Sequence, residues 1–373
     1  MPTADPAAKL RSRRNAVLKG SAYVLILAAI GLSLLAAAIG GDWERFPPAH
    51  YAPSVEPRRP GQEHLISSGV FAVGRLWLLS DSGELWALDQ DAQEPVKIAA
   101  PGSVMGLCVQ QGAPIIASQD SAASGWKLMR WNKSGWIEIV SEPTIGDGLV
   151  AITCEPDRLT LITSRRMIEF EGLTRHAVTL SNRIPSKLPA VVLTTPARLF
   201  VGLNVGEWGG GLQTIDRRTG EVRRLENRAA SDPCGGPLNS DCDPVNGIAV
   251  SPWKPGCVLA AVGLVHATAR GRLVEVCDAD IETAYSEPCS GADSPNCSMP
   301  FFGLMAEDDR VLAVSPKGVV SLGRDGRAEH LPAPLFKWRG PFEVAFEPDY
   351  VLVKTSINQQ RSLSGMTPLL IRR

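Results

Sequence analysis

The chain repeats a unit of short apolar runs separated by polar turns. After residue 61, each unit contains a strand-like run, then a polar turn, and then a second strand-like run. The second runs begin at Gly83, Gly125, Arg166, Gly211, Gly271, Gly318 and Gly365, which gives spacings of 42, 41, 45, 60, 47 and 47 residues. Runs of four to six apolar and β-branched residues bounded by Gly, Asp and Ser indicate strands, and no helical period interrupts them.

Each unit is predicted to contain four strands. A further run of small apolar residues precedes each pair, as at Met105, Leu149 and Gly247, and another often closes the unit, as in residues 136–140. Four short strands in a repeat of about 40 to 45 residues are typical of a β-propeller blade. One such sheet cannot bury both faces alone, whereas seven arranged radially can. The sequence therefore predicts an all-β, seven-bladed β-propeller with four-stranded blades over residues 62–373.

The two ends of the repeat region predict how the ring closes. The last unit stops at residues 366–373, MTPLLIRR, which would supply a third strand but no fourth. Residues 62–66, QEHLI, are similar to the closing strand of the sixth unit, residues 328–332. We expect this N-terminal segment to be the outer strand of blade seven, so that both termini share one sheet. Six blades with a loose end are the alternative.

Two segments resemble a known propeller repeat. Residues 83–90, GELWALDQ, and 211–222, GLQTIDRRTGEV, are similar to the repeat of pyrroloquinoline-quinone propellers, which belong to the quinoprotein-like and WD-repeat-like superfamily. The resemblance covers residues 62–373 as architecture, but the tryptophan usual after the Thr-Gly turn is missing in every blade. It implies a propeller fold, and that fold alone does not assign an activity.

The N-terminal region has the pattern of a membrane segment. Residues 20–41 carry no charge, and about 20 apolar residues are enough to cross a bilayer. Five basic residues precede this run against a single acidic one, which favours a cytoplasmic N-terminus. We predict a basic cytoplasmic segment at 1–19, a transmembrane signal anchor at 20–41 and a proline-rich linker at 42–61. The propeller would be periplasmic or extracellular. A signal peptide cleaved after residues 36–38 is the alternative.

Eight cysteines follow the predicted membrane segment, and in an exported chain they indicate disulfide bonds. The predicted pairs are Cys234 with Cys242, Cys289 with Cys297, Cys257 with Cys277, and Cys108 with Cys154. The first two pairs close short loops rich in turn formers, and the third joins facing ends of a hairpin. The fourth would join inner strands of neighbouring blades, and its spacing leaves the pairing open. A zinc site is the alternative, but no short Cys-x2–4-Cys motif supports it.

The polar residues with binding potential map to the loops of blades four to six. The turns between strands two and three share one face of a propeller with the segments that join blades. The candidate ligand-binding residues on that face are Glu207, Trp208, Asp241, Asp243, Asn246, His266, Trp338 and Arg339. The oxygen donors among them suit calcium, although such residues are also common turn formers. No other cofactor is expected.

These patterns favour a binding module over an enzyme. No nucleophile signature or phosphate loop is present, and a formal net charge of -1 provides no overall field for nucleic acid. We expect a membrane-anchored module that binds a protein, peptide or glycan through blades four to six. The alternatives are an envelope scaffold and a propeller enzyme, lactonase-like or quinoprotein-like, with a metal or quinone in its channel. The acidic candidates for that enzyme, Glu155, Glu307 and Glu347, are predicted on the face opposite Asn246.

Overall fold

The chain forms a seven-bladed propeller. The computed structural model describes residues 65–119, 124–186, 188, 190–229, 231–265, 269–278, 280–289, 297–339, 342–355 and 368–373. Within these ranges lie seven antiparallel sheets of four strands each, which confirms the predicted all-β architecture. All of these described residues belong to one compact unit.

The predicted anchor and linker, together with residues 62–64, lie outside the described ranges. No helix in the described part of the chain has the length and apolar character needed to span a bilayer.

In blades one to six the chain runs from the inner strand to the outer strand. The strands of blades one to three are β1 Ile66–Ala72, β2 Arg75–Ser80, β3 Leu85–Asp89, β4 Val96–Ile98, β5 Ser103–Gln110, β6 Ala113–Gln119, β7 Gly125–Asn132, β8 Gly135–Pro143, β9 Leu149–Cys154, β10 Leu159–Thr163, β11 Arg166–Glu171 and β12 Thr174–Thr179.

The remaining strands of blades four to seven are β13 Ala190–Thr194, β14 Arg198–Leu203, β15 Leu212–Asp216, β16 Val222–Leu225, β17 Val245–Val250, β18 Val258–Val265, β19 Ala269–Cys277, β20 Asp280–Tyr285, β21 Gly303–Ala306, β22 Arg310–Ser315, β23 Gly318–Gly323, β24 Ala328–His330, β25 Trp338–Arg339, β26 Phe342–Phe346, β27 Tyr350–Thr355 and β28 Leu369–Arg372. A 3-10 helix, Gly206–Trp208, lies between β14 and β15.

The second strand of each blade is a continuous apolar run because it is buried on both faces. Every residue of β10 is buried, because both faces of its sheet pack against neighbouring blades. The outer strand β12 of the same blade is almost entirely exposed, and its sequence, TRHAVT, is correspondingly polar.

The inner strands form a continuous ring. Each contacts the inner strands of the two neighbouring blades, in the order β1, β5, β9, β13, β17, β21 and β28. Glycines permit this close approach. A Cβ atom on Gly106 of β5 would lie 2.5 Å from the Cγ2 atom of Ile152 of β9.

The predicted mode of ring closure is wrong. β28, the C-terminal strand, is the innermost strand of blade seven, and the outer strand is β25 from the same end of the chain. Ile66, predicted to close blade seven, begins the inner strand of blade one instead. The physical reason lies in the two faces of β28, because Leu370 packs against blade six and Ile371 packs against blade one. An apolar strand with two buried faces suits the inner position.

All four predicted disulfide pairs form. Cys108–Cys154 joins the inner strands β5 and β9, and Cys257–Cys277 links the two ends of a hairpin in blade five. Cys234–Cys242 and Cys289–Cys297 each close a loop with a sequence separation of 8 residues. Four disulfides indicate an oxidising compartment, either the cell exterior or the periplasm.

Candidate functional site

Two loops of blades four and five meet to form the candidate site. The first is the β14–β15 turn, which carries the 3-10 helix, and the second is the segment 226–244 that joins the two blades. The backbone N–H of Gly210 donates to the carbonyl of Ser240 at 3.0 Å, and that of Gly211 donates to the carbonyl of Asp243 at 2.9 Å. Two of the predicted loops are therefore fastened to each other through their backbones.

The glycines of the first turn serve this contact. Gly209 has a φ of 77°, and a Cβ atom on it would lie 2.4 Å from the carbonyl oxygen of Ser240. A Cβ atom on Gly211 would lie 2.6 Å from the Oγ atom of the same serine. The glycine run lets one loop pack directly on the other, and no residue with a side chain fits there without displacement.

Asp243 is a structural anchor beneath the surface. It is only 2% exposed, and its carboxylate accepts the backbone N–H of Asn239 at 2.7 Å and the guanidinium of Arg272. Burial raises the pKa of Asp243, whereas the charge of Arg272 opposes that shift. The side chain holds the connecting segment against blade five.

Asn246 has a similar position and is 5% exposed. Its Nδ2 atom donates to the carbonyls of Gly263 at 2.8 Å and Phe301 at 3.1 Å, while its Oδ1 atom accepts from Asn204 at 2.5 Å. These bonds join blades four, five and six. Asp243 and Asn246 therefore position the loops from below, and Oδ2 of Asp243 and Oδ1 of Asn246 already accept hydrogen bonds.

The other candidates in these loops face solvent. Glu207 and Asp241 are exposed, and the indole of Trp208 is 72% exposed at the tip of the 3-10 helix. The carboxylate of Asp241 accepts from Arg228 at 2.6 Å, and the same guanidinium donates to Glu226 at 2.7 Å. The structure thus presents a large apolar surface beside a group of fixed charges.

The remaining candidates are placed elsewhere. His266 lies outside the described residues. Trp338 and Arg339 form β25, the outer strand of blade seven, where they pair with Val344 and Glu343.

Sequence reasoning missed the residues that brace the connecting segment. Arg272 donates through Nε to the carbonyl of Pro237 at 2.7 Å, in addition to its contact with Asp243. Arg270 donates to the carbonyl of Cys234 at 3.0 Å. Asn239 is fully buried and donates to the carbonyl of Pro233 at 2.7 Å. No local spacing pattern connects these residues, because their partners lie up to 36 positions away.

The acidic residues considered for an enzyme have other partners. Glu155 accepts from both Nη atoms of Arg217, and Glu307 pairs with Arg310. Within the described ranges, no group of three or more His, Cys, Asp or Glu side chains is arranged to hold a metal ion.

Comparison with known proteins gives the architecture. No protein-family model and no curated protein sequence matches this chain. The Kuenenia stuttgartiensis hydrazine synthase structure matches with a TM-score of 0.53 and 11% identity, over 85% of this chain and 99% of that one. At this identity the likeness shows the fold alone. The protein is a disulfide-linked, seven-bladed β-propeller.

Two further solved structures give lower scores. The extracellular domain of the putative one component system BT4673 from B. thetaiotaomicron has a TM-score of 0.49 and 12% identity, over 83% of this chain. This chain spans 38% of the length of that structure. BamB from Moraxella catarrhalis has a TM-score of 0.41 and 15% identity, over 78% of this chain and 82% of that one.

Proposed function

We propose that this chain is a membrane-anchored, exported propeller that binds a partner protein through the loops of blades four to six. The supporting observation is Trp208, a large apolar side chain that is 72% exposed on a turn whose backbone is fixed by a second loop. Exposed tryptophans that become buried on association often dominate the affinity of an interface.

The mounting of Trp208 favours this role. The glycine contacts hold the two loops together before any partner arrives, and the buried Asp243 and the Cys234–Cys242 disulfide fix the connecting segment. A preorganised loop loses little conformational entropy on binding, so more of the burial energy contributes to affinity. The exposed charges of Glu207 and Asp241 would form a polar rim around the indole.

The anchoring part of the proposal is supported by the sequence alone. The uncharged residues 20–41 follow five basic residues, which favours one span with the N-terminus in the cytoplasm. Alkaline extraction of membranes and protease accessibility of the propeller test this directly. A chain released by alkaline washing at its full length would contradict the anchor, and a shortened chain would indicate a cleaved signal peptide.

The binding site is tested by crosslinking in cells. A photoreactive phenylalanine analogue replaces Trp208 in the full chain, and the crosslinked products are identified by mass spectrometry. The matched control places the analogue at Leu173, which is fully exposed on the turn between β11 and β12. A defined protein captured at position 208 and not at 173 is the expected result.

Truncation supplies the quantitative arm of the same test. We expect Trp208→Ala to weaken binding of the captured protein by about 30-fold or more, since loss of a central tryptophan costs about 2 kcal/mol or more. The Leu173→Ala variant should bind normally. Unchanged binding by Trp208→Ala, or capture of a glycan in place of a protein, would contradict the proposal.

A further inference from the structure

We propose that four exposed arginines of blades three and four dock the propeller onto the anionic headgroups of the membrane that anchors it. These residues, Arg165, Arg183, Arg218 and Arg224, are called the arginine strip below. This inference rests on the proposed anchor and concerns a surface other than the Trp208 loops.

The charge of the propeller is distributed unevenly around the ring. Residues 149–228, which contain blades three and four, carry 12 Lys and Arg against 8 Asp and Glu, a net charge of +4. Residues 65–148 carry 5 against 9, and residues 229–373 carry 13 against 17, so each of these arcs has a net charge of -4. One positive arc between two negative arcs gives the ring a preferred orientation in front of an anionic surface.

The arginines that supply the excess positive charge are exposed and form no ion pairs within the described ranges. Most described arginines of these two blades pair with acidic side chains, as Arg166 does with Glu142 and Arg217 does with Glu155. The four arginines of the strip are exposed, and within the described ranges no carboxylate lies within 4.0 Å of their guanidinium groups.

Backbone contacts bring the strip together. The connecting residues 180–184 contact the β10–β11 turn of blade three and the β15–β16 turn of blade four. The N–H of Leu180 donates to the carbonyl of Arg165 at 2.8 Å, and that of Ser181 donates to the carbonyl of Gly220 at 2.9 Å. Asn182 donates to the carbonyl of Val222 at 3.4 Å. Each arginine of the strip is therefore at most two residues along the chain from one of these bonded residues.

The acidic residues of the same segments have hydrogen-bond partners outside the strip. Glu221 accepts from Arg223 at 2.8 and 2.9 Å. The carboxylate of Asp216 accepts the backbone N–H and the hydroxyl of Thr219, both at 2.8 Å. Arginine presents a planar fork of N–H donors, which suits bidentate contacts with lipid phosphate.

The proposed membrane anchor favours a lipid surface over a soluble partner as the ligand of the arginine strip. Four arginines near an anionic bilayer give an attraction that corresponds to a dissociation constant of about 1 mM, which is too weak for a free partner. The predicted proline-rich linker is extended, at about 3.1 Å per residue, and its short reach gives an effective concentration that is also in the millimolar range. The anchored propeller would therefore be docked for roughly half of the time, and its orientation would depend on lipid charge and salt.

Arginine footprinting of the full chain tests this docking. The chain is reconstituted into nanodiscs of phosphatidylcholine, with or without one third phosphatidylglycerol. Phenylglyoxal modification of each arginine is then followed by mass spectrometry. We expect modification of the strip to be about twofold slower in the anionic discs, and raised salt to abolish the difference. The exposed Arg324 and Arg327 of blade six are internal controls and should react equally in both lipids.

Variants make the test specific. In the Arg183→Gln/Arg218→Gln variant, Arg165 and Arg224 should lose their protection, whereas the Arg324→Gln/Arg327→Gln variant should keep it. Equal rates for the strip in both lipids would overturn docking and leave its arginines available to an acidic soluble protein. A chain that fails to copurify with either disc would overturn the anchor itself, so the two failures are distinguishable.

Discussion

Glu142 stabilises the seam between blades two and three, and its replacement by glutamine should destabilise the fold strongly. Its side chain is 2% exposed and accepts from Arg166 at 2.9 Å and from Arg175 at 2.8 and 2.9 Å. The Arg166 side chain is 11% exposed and also contacts Asp147. Glutamine would keep the shape but turn an amide N–H2 group towards guanidinium donors.

The magnitude follows from the burial of the group. Breaking a buried ion pair on one side costs about 3 to 5 kcal/mol, because the remaining charge is left without its partner. Arg166 keeps Asp147, so we expect the lower end, about 3 kcal/mol. About 2 cal/mol/K of unfolding entropy per residue over roughly 300 residues gives a fall in Tm of about 5 °C.

Thermal and urea denaturation of Glu142→Gln, compared with Glu138→Gln, measure this effect. Glu138 lies on the same strand but is 46% exposed, and its contact with Lys127 is 3.8 Å long. Removing such a surface pair should cost less than about 1 kcal/mol. Equal losses in the two variants would refute the reasoning, because burial would then not determine the cost.

Three other perturbations test the remaining structural claims. Gly209→Ala should lower Tm more than Gly256→Ala, because both have a φ near 80° but only Gly209 has neighbouring atoms where the new Cβ would lie. Removing the Cys108–Cys154 disulfide, with a sequence separation of 46, should lower the free energy of unfolding by about 4 kcal/mol. Removing Cys234–Cys242, with a separation of 8, should lower it by about 2.5 kcal/mol. Equal losses in urea denaturation would contradict the loop-entropy account. Hydrogen bonds from Arg175 and Arg166 lower the pKa of Glu142 below 4.5, so its stabilisation is complete above that pH and is lost as pH falls through the lowered value. The Tm difference between the wild-type protein and Glu142→Gln should therefore narrow as the pH falls through this lowered pKa.

The strands could be predicted because the burial of a strand determines the pattern of apolar residues in its sequence. The second strands β2, β10 and β27 are continuous apolar runs bounded by turn residues. Two buried faces require such a run whatever its neighbours are, so local composition suffices.

The order of strands in blade seven was not predictable in the same way. Leu369–Arg372 is apolar enough for the third or the inner position, and the choice depends on which neighbouring blades cover its two faces. β25 is only 2 residues long, too short to stand out as a strand. Local composition therefore assigns the fourth strand of blade seven to residues 62–66, whereas β25 occupies that position.

The candidate site could be predicted only in part, for a similar reason. Turn composition predicted the loops, but it does not show which polar side chains of a turn point inward. Asp243 and Asn246 are buried because Arg272, 29 residues further along, and the carbonyls of Gly263 and Phe301 lie beneath them. Trp208 remains exposed because no other loop covers the tip of its helix in the described structure.

The closure of the ring places the proposed binding surface opposite the seam where blades seven and one meet. A sheet shared by both termini would hold blades seven and one together by backbone hydrogen bonds, but here they meet through side chains. Their contacts include the apolar cluster around Leu76 and Val344, the guanidinium of Arg373 at 5.4 Å from the ring of Phe71, and a hydrogen bond from Arg373 to Gln90. Blades two and three are joined by a disulfide, and the buried Arg217 of blade four binds two carboxylates of blade three. The turn that carries Trp208 lies in blade four, on the arc that these bonds connect and opposite the seam between blades seven and one.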